Sequence, residues 1–248
     1  MSEIILPTVP IGPTETSPRR LLLYGVPKVG KTTAVAQLPN NLILDLERGT
    51  AYIEALKVNI TSVKDIEAVC AKLREEGLKL HQAGKSPFLY DCITIDTGDA
   101  LEEMCDRSAL AKFKESKLCT AEQKLQLQSI TELAHGLGYG YLRNEFIRVV
   151  NLIATYSKRV IIITHVKDKV VGEKEGATAT VKDISLGGKL SSIVCANMDA
   201  IGYLFRHPVT GDLTVSFQSK DTNTTMGGRC AHLAGQMFKL DWKKVYID

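Results

Sequence analysis

Gly25-Val26-Pro27-Lys28-Val29-Gly30-Lys31-Thr32 is the stretch on which the fold of this chain turns. It matches G-x-x-x-x-G-K-[ST]. Before it, the apolar run 21–24 predicts a strand; after it, 32–38 predicts the start of a helix closed by Pro39 and Asn40. A loop that wraps phosphates needs glycines where the backbone approaches the oxygens, and a helix whose first N–H groups point at the anion. Gly25 and Gly30 meet the first need and the helix entered at Lys31 meets the second, with Thr33 in its opening turn. The cofactor this chemistry implies is ATP with Mg2+. Lys31 reaches the β- and γ-phosphates, and the Thr32 hydroxyl ligates the metal. The plainer alternative is a glycine turn beside a surface lysine, which the flanking strand and helix argue against.

Outward from that loop, strands and helices alternate, which predicts a mainly parallel sheet covered by helices, an α/β fold. Residues 42–46 read as a second buried strand, and 63–82 carries apolar residues at Val63, Ile66, Val69, Cys70, Leu73 and Leu80, one face of a helix. Residues 93–95 form a third strand ending at Asp96, with helices over 99–113 and 142–156 and a β-branched strand over 160–164. Near the C-terminus, 200–205 and 213–217 flank Pro208-Val209-Thr210-Gly211-Asp212, an antiparallel hairpin added to the sheet edge. Residues 1–18 carry four prolines and no periodicity. They read as an extended arm before a single domain over 19–248, whose apolar segments either pack on this chain or dock on a neighbouring subunit.

Three strand ends carry the remaining chemistry. Magnesium in such a site needs a carboxylate on a neighbouring strand, and Asp96 is the candidate, although an aspartate there also serves as a helix cap. Attack on the γ-phosphate needs a group to orient water. Glu47 lies further out than Asp45 at the carboxyl edge of the sheet, where ligands of open α/β folds sit, so Glu47 is favoured over Asp45 and over an edge charge paired with Arg48. His165 closes the fourth strand, either as a sensor of the γ-phosphate or as an ordinary polar residue.

Composition narrows the rest. With 31 basic and 28 acidic residues the net charge is +3, so a nucleic-acid partner would be held by local patches. The six cysteines are scattered, with no zinc-type spacing, and predict reduced thiols. No apolar run approaches the ~20 residues of a bilayer span, so the expectation is a soluble cytoplasmic protein without a membrane partner.

These residues together resemble the core domain of RecA-like recombinases, and more closely the phage-encoded single-domain RecA-like nucleotide-binding proteins of the single-strand annealing type. The resemblance is carried by 25–32, by Asp45-Leu46-Glu47-Arg48-Gly49-Thr50, by Ile95-Asp96, by Ile162-Ile163-Thr164-His165, and by Gly187-Gly188-Lys189-Leu190. It implies a RecA-like P-loop ATPase, DNA-stimulated, with Glu47 as the catalytic glutamate. It also implies a homo-oligomer, ring or filament, acting on single-stranded DNA beside a single-strand DNA-binding protein in the cytoplasm of a phage-infected bacterium. Two DNA-facing loops would be 114–140 and 167–187. Lys220 would act across a subunit interface on the neighbour's γ-phosphate, with Arg229 as a second candidate. Between 107 and 124, Arg107, Lys112, Lys114, Lys117 and Lys124 outnumber Glu115 and Glu122, an excess suited to phosphate contacts; the second loop is charge-balanced. Tyr139 and Tyr141 are able to stack on bases or to anchor the following helix. Leu46 and Arg48 depart from the family's small residues, His165 stands for its usual glutamine, and no appended domain is expected at either terminus. Two other readings remain at this point: a P-loop kinase acting on a small molecule, and a nucleotide-gated DNA-binding scaffold with little turnover.

Overall fold

The computed structural model describes residue 6 and residues 8–172, 178–218 and 224–248 of the chain. The first strand, β1 (Arg20–Gly25), runs into the phosphate loop and α1 (Lys31–Ala36), and is followed by β2 (Asn41–Asp45), β3 (Lys57–Asn59) and α2 (Val63–Gln82). Next come β4 (Cys92–Asp96), α3 (Gly98–Glu115), the short α4 (Ala121–Gln126) and α5 (Leu137–Ala154). A long β5 (Arg159–Gly172), β6 (Thr178–Ile184), α6 (Gly188–Ala196), β7 (Ala200–Arg206) and β8 (Leu213–Ser216) follow. The chain ends in β9 (Gly227–Gly228), β10 (Met237–Lys239) and α7 (Trp242–Val245).

Along the sheet the strands lie in the order β10-β8-β7-β1-β5-β4-β2-β3. The pairs from β7 through β1, β5, β4 and β2 to β3 are parallel, while β8 and β10 add antiparallel strands beyond β7. This is the expected α/β arrangement, a mostly parallel central sheet with flanking helices and antiparallel strands toward the C-terminus. Its strands are near-continuous apolar runs because both faces are covered. Successive side chains alternate between two cores. Leu22, Tyr24, Ile93, Ile95 and Ile162 pack under α2, α3 and α5, while Leu21, Leu23, Ile43, Ile161 and Ile163 pack on the opposite face. Each such fully buried aliphatic side chain contributes about 1.5–3 kcal/mol, enough to hold the register that aligns the strand ends.

The helices begin where their caps dictate. Ser62 accepts from the Asp65 N–H and Asp65 returns the bond, a capping box that starts α2, and Thr97 caps α3 through the Ala100 N–H. On the second face, Trp242 Nε1 donates to the Ala34 carbonyl at 2.8 Å, fastening the C-terminal segment to α1.

Several expectations change. The fourth strand does not stop at 164. It continues to Gly172 and returns as β6 in register from Val166↔Ile184 to Gly172↔Thr178, so most of the supposed loop 167–187 is a hairpin. The helix expected over 142–156 starts earlier, at Leu137. In the 114–140 segment the chain folds into α4 and two 3-10 turns. At the N-terminus Leu6, Val9 and Ile11 are 80%, 71% and 73% exposed, so these apolar residues of the arm do not pack on the body. Among the described residues no helix is long and apolar enough to cross a membrane, and all six cysteines are free thiols.

Candidate nucleotide site

Parallel pairing brings the carboxyl ends of β7, β1, β5, β4 and β2 to one edge. Across it Leu204 lies beside Gly25, Gly25 beside His165, Ile163 beside Asp96, and Asp96 beside Asp45. The phosphate loop leaves β1 here because two positions tolerate only glycine. A β-carbon on Gly25 would stand 2.4 Å from the Leu204 carbonyl oxygen, and Gly30 has φ +114. Lys28 also adopts positive φ, at 63°, and completes the curl, while Val26, Pro27 and Lys28 face outward and Val29 is buried.

Lys31 is buried, and its ammonium donates to the carbonyls of Gly25 at 2.9 Å and Val26 at 3.0 Å, spanning the loop. Burial lowers its pKa, opposed by the charges of Asp96, Asp99 and Glu47. Thr32, one residue on, donates from Oγ1 to Asp96 Oδ2 at 2.7 Å, and Thr33 points to solvent. Burial pushes the Asp96 carboxyl up to about 6, against the Thr32 hydrogen bond and with the repulsion of Asp45 and Glu47 added. A divalent cation would relieve this cost. Among the described residues no group of three His, Cys, Asp or Glu side chains could hold a metal. A hydroxyl next to one carboxylate suits Mg2+ instead, which takes few protein ligands and completes its shell with phosphate and water.

The two carboxylates that close the second strand have separate fates. Asp45 is consumed by its own turn: it accepts from the N–H groups of Gly49 and Thr50, each at 3.0 Å, and from the Thr50 hydroxyl. Glu47 is exposed at the site edge and accepts from Thr97 Oγ1 at 2.5 Å. His165 turns toward the start of α3, with its backbone N–H on Asp99 Oδ2 at 3.0 Å and its Nδ1 3.4 Å from the same oxygen. Sequence reading passed over Thr97 and Asp99; the only signal for either was its place just after Asp96. It also passed over Arg206, whose hydrogen bond to the loop spans 177 residues of chain.

The other named residues lie elsewhere. Arg229 is at the amino end of the sheet, donating to the Ala196 carbonyl at 2.7 Å, beside the Ala200↔Gly228 pair. Lys220 lies outside the described residues. In the basic segment, Lys112 binds both oxygens of Glu145 at 2.7 and 2.8 Å and Lys114 donates to the Leu127 carbonyl at 2.8 Å, so these two lysines hold the fold; Lys117 is exposed. Tyr141 packs on Phe113 with ring centroids 5.6 Å apart, while Tyr139 is 47% exposed.

A loop of this geometry, at the carboxyl edge of a mainly parallel sheet, defines a P-loop nucleotide-binding protein. The model of the AAA domain family matches residues 17–230, and the chain belongs to that family. In a structural comparison the chain is similar to the crystal structure of the RadB recombinase, with a TM-score of 0.43 and 12% identity, covering 90% of this chain and 86% of that one. No curated protein matches the sequence.

Proposed function

We propose that this protein binds and hydrolyses ATP with Mg2+ and acts, as a homo-oligomer, on single-stranded DNA in recombination or annealing. One observation carries the ATP part of the reading: Lys31, Thr32, Asp96 and Glu47 come from three separate segments and meet at one sheet edge around a glycine-bounded loop. In it residues 25–33 cradle the phosphates, with Lys31 exchanging loop carbonyls for phosphate oxygens of higher charge. Thr32 and Asp96 would hold Mg2+, which would supply neutralisation of the phosphate charge. Glu47, oriented by Thr97, polarises the attacking water, and its proton passes to the carboxylate as the γ-phosphoryl group is released to give ADP and phosphate. Asp45 is not available for this task, because its oxygens hold the turn.

DNA binding is supported by continuity. His165 belongs to the same strand that pairs with β6, so the nucleotide edge and the segment proposed to face DNA share one continuous hydrogen-bonded strand. Lys117 and Tyr139 supply an exposed cation and an exposed ring on the helical side. Lys220 and Arg229 are proposed to act across an interface. Arg229 sits roughly four strand residues, ~13 Å, from the edge bearing its own loop, so in this reading it serves a neighbour's site and would have to exchange its bond to the Ala196 carbonyl for it. The annealing role, the phage setting in a bacterial cytoplasm and a single-strand DNA-binding partner rest on the resemblance alone.

The test is ATP turnover with and without single-stranded DNA, beside a measurement of assembly size. DNA-stimulated turnover that rises with protein concentration is expected. So is recovery of activity when a Lys220→Ala chain is mixed with a Lys31→Ala chain. Concentration-independent turnover by a monomer, indifferent to DNA, would move the reading to a small-molecule kinase. Tight ATP binding without turnover would move it to a nucleotide-gated scaffold.

A further inference from the structure

The phosphate loop is gripped from outside by a residue of another strand. Arg206, the last residue of β7, donates from Nε to the Val29 carbonyl at 3.1 Å and from Nη1 to the Gly211 carbonyl at 3.2 Å. Its Nη2 lies 3.1 Å from the point where a β-carbon on Gly30 would stand. One guanidinium therefore ties the loop to the turn between β7 and β8, using the fixed fork that a lysine lacks.

The consequence follows from peptide geometry. Among the described residues the only cis peptide is Asp96–Thr97, so the Val29–Gly30 bond is trans and its C=O and N–H point in opposite directions. With the Val29 oxygen drawn to Arg206, the Gly30 N–H is turned to the other side of the loop. We infer that Arg206 is a positioning residue for nucleotide binding: by holding the Val29 carbonyl it presents the Gly30 N–H to the phosphate chain. The charge-assisted hydrogen bond also polarises that peptide, strengthening the N–H as a donor. Arg206 touches no phosphate in this account; it acts through the peptide. The inference rests on the proposed nucleotide site.

The experiment compares dissociation constants for Mg2+ with ADP and with ATP in wild type, Arg206→Ala, Arg206→Lys and Lys31→Ala, together with the melting temperature of each nucleotide-free protein. Arg206→Ala is expected to weaken ADP and ATP alike, by about tenfold, the loss typical of one hydrogen bond to a charged group. Its melting temperature should stay within a few degrees of wild type. Arg206→Lys, which keeps one charged N–H donor for the Val29 carbonyl but loses the second prong to Gly211, should recover part of the affinity. Loss confined to ATP would mean direct contact with the γ-phosphate and overturns the inference, as would unchanged affinity or a lysine variant no better than alanine. If the alanine variant does not fold, Arg206→Gln replaces it, with the same outcomes. Wild type that binds neither nucleotide, or Lys31→Ala that binds as wild type does, brings down the site reading itself; a wild type that binds while Arg206→Ala is unaffected brings down this inference only.

Discussion

Two clusters of buried charge sit in this molecule and are built to opposite ends. Between α3 and α5, Glu145 is only 6% exposed, yet it accepts from Lys112, Arg148 and Ser108, and Arg148 reaches on to Glu67 at 2.7 Å. Burial alone would push the Glu145 carboxyl up, but the bonds from Arg148, Lys112 and Ser108 outweigh it and hold it at about 2. At the carboxyl edge of the sheet the balance is reversed. Asp96 has one hydroxyl for its buried charge and is pushed up to about 6, while Lys31 is shifted downward and bonded to loop carbonyls. A completed cluster stabilises the fold, whereas an under-satisfied one leaves electrostatic work for a ligand to do. The same contrast separates Asp45, with its lone pairs taken up by a turn, from Glu47 one step out.

The comparison breaks most visibly at Glu47. Glu47→Gln should slow ATP turnover by roughly 10²- to 10⁴-fold with nucleotide affinity nearly unchanged, the usual worth of a positioned base. Steady-state kinetics beside a binding titration checks this, and a turnover close to wild type would remove Glu47 from the mechanism. Asp45→Asn should instead lower unfolding stability by about 1–3 kcal/mol, because it replaces the carboxylate that holds the N–H groups of Gly49 and Thr50.

Lys31→Ala should weaken ATP binding by about 10²-fold, the worth of two charge-assisted hydrogen bonds to phosphate, while the nucleotide-free protein melts close to wild type. Calorimetric titration and a thermal scan separate the two; a folded variant of undiminished affinity contradicts the site.

The completed cluster gives a smaller effect of the other kind. Glu145→Gln should cost about 1–2 kcal/mol at neutral pH, discounted because Lys112 is half exposed and water screens the attraction. The pKa of Glu145 is depressed in the folded state, so its contribution is present above its ordinary 4.5 and fades as pH falls toward about 2. Urea midpoints of wild type and variant should therefore converge between those values, and a gap that stays constant with pH would mean the loss is one of packing.

The least effect is expected at the surface. Lys117→Gln should reduce the log-log salt slope of single-strand binding by ~0.7, whereas Lys112→Gln should act mainly on stability. An unchanged slope for Lys117→Gln would mark it as a solvated charge.

The amino-acid sequence by itself determined the phosphate loop, the buried strand over 42–46, the strand ending at Asp96, the helix over 63–82 and the terminal hairpin. These are legible because each is written locally, in glycine spacing, apolar runs and caps. It did not mark β5 as continuing to Gly172, because Lys167, Asp168 and Lys169 look like a loop until β6 is there to pair with them. Nor could a count of positive residues tell Lys112, spent on Glu145, from Lys117. Tertiary structure alone decided these, along with Arg206 at Val29 and Thr97 at Glu47. Their partners lie 177 and 50 residues away along the chain, and a hydrogen bond between distant segments leaves no period or motif in either one. It exists only once the parallel register has brought the strand ends to the same edge.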